Sequence, residues 1–118
     1  MPASPSLKAL TRKVLKFRDD RDWKQFHNAK DMALSLVLEA AEVLEHFQWK
    51  NQRQAKAHVA IHKTDLAYEL ADVLSWVLVM AHDFDIDLSD AIQSKLKLND
   101  QKYPVHRARG RAVKYTKL

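Results

Sequence analysis

Residues 64–82 read TDLAYELADVLSWVLVMAH, and this stretch decides the fold. Leu66, Leu70, Val73, Leu74, Val77, Leu78 and Met80 recur mostly three or four apart, the spacing that gathers side chains on one side of an α-helix instead of alternating them across a strand. Thr64 or Asp65 opens the helix, which runs to about His82 and is the most apolar segment of the chain. So apolar a helix has to be covered by others.

Those others can be found on either side. Upstream, Asn28 is a good N-cap for a helix that carries Met32, Leu34, Leu36, Val37, Leu38, Val43, Leu44 and Phe47 to about Trp49. Further upstream, Leu7, Leu10, Val14 and Phe17 share one face of a helix capped by Ser6, or alternatively Ser4. Downstream, Asp87 or Ser89 starts a helix from Leu88 to about Tyr103, where Pro104 stops it. Residues 18–23 and 50–63 read as connections; the second is long, polar and weakly periodic, with room for a helical turn. A single glycine, Gly110, and three prolines, Pro2, Pro5 and Pro104, leave the interior without strand or tight-turn punctuation. The expectation is an all-α protein, an antiparallel four-helix bundle forming one domain over residues 1–118, with an irregular basic tail at 105–118. The second and third helices are apolar on more than one face, which implies a homodimer or homotetramer.

Composition narrows the class further. With 47% apolar and 30% charged residues among 118, the chain is globular. No apolar run approaches the ~18 residues of a membrane span, and residues 1–10 lack a basic start followed by an apolar stretch, so a soluble, cytoplasmic protein with no membrane partner is expected. The absence of cysteine excludes disulfides, thiolate metal ligands and cysteine catalysis. The net charge of +5 lies at one end: residues 95–118 carry eight Lys or Arg against Asp100 alone. A basic tail beside a slightly acidic body grips either a polynucleotide backbone or a small polyphosphate.

The chemistry centres on four acids. In Glu39-Ala40-Ala41-Glu42 and Glu69-Leu70-Ala71-Asp72, two carboxylates sit three apart and share a helix face. Such pairs also occur on solvated helices. Here the small Ala40, Ala41 and Ala71 permit close approach, while Leu36, Val43, Leu70 and Val73 surround the acids with apolar side chains. Carboxylates gathered in such surroundings repel one another and need a counter-charge. Oxygen-only donors point to a hard divalent cation, Mg²⁺ or alternatively Mn²⁺.

Around these residues the sequence resembles the MazG-like all-α nucleoside triphosphate pyrophosphohydrolases, and within them the dCTP pyrophosphatase branch. The resemblance is carried by Glu39-x-x-Glu42 followed by Glu69-x-x-Asp72, by residues 21–27 (RDWKQFH), by Phe47-Gln48-Trp49-Lys50, by Lys95 with Asn99, by Tyr103-Pro104-Val105, and by Gly110 followed by Lys114-Tyr115-Thr116. Two positions depart from the pattern. Leu38 precedes the first glutamate where many relatives carry a further acid, and Trp76 stands where the branch tends to have tyrosine. The resemblance implies a Mg²⁺-dependent hydrolase that cleaves a dNTP, dCTP or a modified cytosine analogue by preference, between the α and β phosphates. It implies that Glu39, Glu42, Glu69 and Asp72 hold metal and carry catalysis, with Glu39 the candidate to orient or deprotonate water.

Other residues suit the substrate. Trp49 and Trp76 are candidates to stack on a base, with core packing as the alternative for Trp76. His27 is a candidate for base or sugar. Lys95, Asn99 and Tyr103 recur every four residues and line one helix face suited to phosphate and sugar, to which Lys114 and Tyr115 of the tail are added. His58 and His62 are four apart but show no third ligand, so no transition-metal site is assigned to them. A nucleic-acid-binding helical module using the basic tail, and a catalytically silent nucleotide sensor, are the competing functions.

Overall fold

The computed structural model describes residues 3–118, all of whose regular elements are helical. Six α-helices follow in order: α1 (Leu7–Asp20), α2 (Ala29–Glu45), α3 (Gln52–Ile61), α4 (Lys63–Asp83), α5 (Leu88–Lys102) and α6 (Val105–Ala108). Short 3₁₀ turns occupy Lys24–Phe26 and Tyr115–Lys117. The chain divides into two compact units, one ending at Phe84 and the other spanning Asp85–Leu118.

In the first unit α4 is the hub, with α1, α2 and α3 each packed against it. Its buried residues Leu78, Val79 and Ala81, together with Met32 of α2, form the core. The helix count exceeds the four expected from spacing by two: α6 lies in the expected tail, and residues 52–61, expected to be a connection, form the helix α3. The apolar stripe of α3 is weak; what holds it is local. Asn51 accepts a hydrogen bond from the Gln54 backbone N–H while the Gln54 side chain accepts one from Asn51, a capping box that satisfies two otherwise orphaned donors. At its far end His58 and His62 stack at 4.4 Å, and His58 Nε2 lies 2.7 Å from His46 Nδ1, tying α3 to the end of α2.

Asn28 caps α2 as expected, accepting from the Asp31 N–H at 2.9 Å. That helix ends at Glu45 and gives way to a turn before Trp49. α1 outruns its expected end at Phe17 and stops at Asp20 in a Schellman motif. Asp22 adopts the left-handed region at φ 55°. The Trp23 and Asp22 N–H groups then donate to the carbonyls of Arg18 and Asp19, at 3.1 Å each. The Gln25 side chain donates to Asp22 and braces the turn. The reversal folds Trp23 edge-on against Phe17, ring centroids 5.8 Å apart, and returns the chain through His27 to α2.

In the second unit Asp87 caps α5, and no residue of α5 or α6 is buried. The segment after Pro104 is more regular than the irregular tail expected: it forms α6, passes Gly110 at φ +71°, and ends in a 3₁₀ turn. Arg107 donates to the Leu118 carbonyl at 2.8 Å, and Tyr115 meets Tyr103 edge-on at 6.0 Å. Among the described residues no helix is long and apolar enough to cross a membrane.

Candidate active site

Packing of α2 against α4 brings the two carboxylate pairs face to face. Glu39 and Glu42 come from α2, Glu69 and Asp72 from α4, and one carboxylate oxygen of each lies within 4.8 Å of those of the others. The i,i+3 spacing places each pair on one helix face. Glu39 and Glu69 are half-buried, Glu42 and Asp72 exposed, so the cluster has a dry floor and a wet rim.

Its electrostatics are unbalanced. Glu39 Oε2 and Glu69 Oε2 are buried without any hydrogen-bond partner, a costly state for a carboxylate oxygen. The Glu69 carboxyl is pushed up to about 7, first by hydrogen bonding with Glu42, then by burial, then by the charges of Glu42, Asp72 and Glu39. Glu39 is raised as well, chiefly by burial, then by hydrogen bonding with Glu42 and by the charges of Glu42 and Asp72. Two orphaned oxygens in an all-oxygen donor set, on glutamates whose carboxyls burial and neighbouring acids push upward, form a site into which a divalent metal ion fits.

A cavity of about 520 Å³ adjoins the cluster through Asp72. Its walls come from α1 (Lys13, Val14, Phe17, Arg18), the turn after it (Trp23, His27) and the α4 face that continues past Asp72 (Ser75, Trp76, Val79). Its size and its lining, mostly apolar with a few polar groups, are those of a small-molecule site. The His27 and Trp76 rings meet in the wall, centroids 5.0 Å apart and tilted 57°.

Of the residues expected from sequence, the structure thus brings together all four acids, His27 and Trp76. Trp49 lies in the turn after α2, 87% exposed and outside the cavity lining. Lys95, Asn99 and Tyr103 belong to the second unit, where Tyr103 ends α5 and its N–H donates to the Asn99 carbonyl at 2.8 Å. Lys114 and Tyr115 lie there too, at the terminal 3₁₀ turn. Sequence reasoning left Lys13, Phe17, Arg18, Trp23 and Ser75 unassigned. Phe17 follows Lys13 by four residues and Ser75 follows Asp72 by three, so helical register was the signal that would have found these three; Arg18 and Trp23 carried none.

Comparison with known proteins gives consistent matches. A family model described as MazG-like matches residues 34–118. The dCTP pyrophosphatase 1 of Mus musculus is 40% identical over 116 residues, covering 97% of this chain and 68% of the relative. The human protein of the same name is 36% identical over the same length. Among solved structures, a pyrophosphatase from Archaeoglobus fulgidus superimposes with a TM-score of 0.80 at 30% identity, covering 88% of this chain and 97% of that one.

Proposed function

The chain belongs to the MazG-like family, and we propose on that footing that its substrate of preference is dCTP or a modified cytosine analogue. It is a nucleoside triphosphate pyrophosphohydrolase acting on deoxynucleotides. The products are the monophosphate and pyrophosphate, and the role is housekeeping of the nucleotide pool in the cytoplasm. The observation that carries the reading is the joining of two features on α4: a four-carboxylate cluster with two orphaned oxygens, and a ring-walled cavity beginning at Asp72.

Glu39, Glu42, Glu69 and Asp72 would hold Mg²⁺, with Mn²⁺ as a substitute. When bound, the ion supplies charge neutralisation at the phosphates and a more acidic water. The side chains divide the remaining work. Glu39, half-buried with one free oxygen, orients the attacking water and accepts its proton. The exposed Glu42 and Asp72 face the triphosphate from the rim. His27 and Trp76 position the base by contact with its edge and face.

The protein acts as a homodimer or homotetramer. Val37 and Leu38 of α2 are each 64% exposed, and Leu70 of α4 is 53% exposed, beside the acids. Apolar side chains left open in this number are usual where a second copy covers them.

Purified protein incubated with each dNTP and Mg²⁺ tests the proposal. Monophosphate and pyrophosphate from dCTP ahead of the other dNTPs is the expected result. Turnover of no dNTP, or release of orthophosphate instead, would refute it.

A further inference from the structure

The cavity wall contains one buried cation. The Arg18 side chain is 4% exposed, and its Nη1 donates to Asp83 Oδ2 at 2.8 Å. The same Nη1 lies 3.5 Å from His27 Nδ1. Its Nε is 3.4 Å from Asp19 Oδ1.

A guanidinium has donors only, and in proteins it keeps its charge. Nη1 carries two hydrogens, so one serves Asp83 and the other faces the imidazole. A ring nitrogen opposite an N–H must present its lone pair. The proton of the neutral ring then sits on Nε2, across the imidazole from Arg18. Trp76, tilted against the same ring, limits its rotation.

We propose that Arg18 is a positioning residue that locks His27 as its Nε2–H tautomer, so that the cavity offers the base a hydrogen-bond donor and selects an acceptor at that point. The proposal rests on the reading that the base occupies this cavity. The carbonyl oxygen or unprotonated ring nitrogen of cytosine meets the requirement, whereas an exocyclic amino group would set donor against donor. Burial, and after it the Arg18 charge, hold His27 below its ordinary pKa range, with Asp83 pulling the other way. The neutral ring that the tautomer requires is therefore the prevailing form near neutral pH.

The test reads the ring nitrogens of His27 directly, by long-range ¹H–¹⁵N spectroscopy of the nucleotide-free full chain, with His27→Gln to assign the signals. In the wild type, Nε2 should carry the proton and Nδ1 none. Arg18→Glu/Asp83→Arg keeps an ion pair between the two positions but sets an acceptor against Nδ1. It should move the proton to Nδ1 and raise KM for dCTP roughly tenfold, the usual penalty for an unmatched polar contact, with kcat near wild type. Arg18→Lys should preserve tautomer and KM. Should the exchanged pair fail to fold, Arg18→Met/Asp83→Leu, which replaces it by apolar side chains, should give mixed tautomers and a raised KM.

A wild-type proton on Nδ1 overturns the proposal. So does a folded exchange variant that keeps the proton on Nε2, or moves it without raising KM. Because the spectrum needs no nucleotide, failure of the tautomer is distinct from failure of the enzymatic reading, which would appear as absence of dNTP turnover.

Discussion

Lowering the pH from about 8 to about 6 should weaken Mg²⁺ binding at least tenfold, and the size of the effect follows from Glu69. Its carboxyl is pushed up to about 7. A cation takes the ionised form only, so binding below that pH must displace a proton. With that pKa, the group is protonated in roughly one molecule in ten at pH 8 and roughly nine in ten at pH 6. Apparent affinity falls by about the same ratio, and the raised Glu39 adds to the loss. Calorimetric titration with Mg²⁺, in buffers of different protonation enthalpy, counts the protons released: close to one or more at about pH 6 and few at about pH 8. Glu69→Gln should flatten the pH dependence. The stability of the metal-free protein depends on the same proton. The unfolded chain loses the Glu69 proton near 4.5 and the folded chain near 7, so the site's stabilising contribution is complete below the lower value and is lost as pH rises through the upper. Mg²⁺ should oppose that loss. Affinity unchanged between about pH 6 and 8, with no proton released, would refute a crowded carboxylate cluster as the binding site.

Glu42→Ala and Asp72→Ala should each abolish Mg²⁺ binding and dCTP turnover while leaving the helical circular dichroism intact; full activity in both variants would remove the proposed site. Trp76→Ala should raise KM for dCTP by a factor between about five and about 150, the equivalent of ~1–3 kcal/mol of lost stacking, measured by steady-state kinetics. Met32→Ala removes the most buried side chain of α2, 2% exposed, and should cost about 2–5 kcal/mol in urea unfolding of the metal-free chain. Asn28→Ala leaves the Asp31 N–H without its cap and should cost about 1 kcal/mol in the same assay.

How much of this was legible in the sequence depended on whether the stabilising interaction was repeated or singular. α4 was legible because its apolar residues recur through 21 residues and each turn repeats the signal. α3 has little such stripe, and its start depends on one reciprocal contact between Asn51 and Gln54. The turn after α1 was hidden for a related reason. A left-handed residue at a helix end is most often glycine, and here Asp22 fills the position. Without that turn, Trp23 has no visible reason to lie against Phe17. Arg18 was the least legible of all, because a charged residue in a polar stretch reads as solvated. Its burial depends on Asp83, sixty-five residues away, and no local pattern records such a partner.

The carboxylates fall between these cases, and the difference explains why the site is where it is. Each i,i+3 pair is a local feature that any helix would display; the quartet exists only because α2 and α4 pack with those faces opposed. Once they do, α4 couples the two halves of the site. Asp72 and Trp76 are four residues apart on one rigid helix, an axial separation of about 6 Å. The acid that belongs to the cluster and the ring that walls the cavity therefore cannot drift apart without breaking α4, whose distal turns contain Leu78, Val79 and Ala81. Core and site are thus stabilised by the same helix. A destabilising change at Leu78 or Val79 should therefore reduce turnover and Mg²⁺ binding together, in step with the loss of helical circular dichroism.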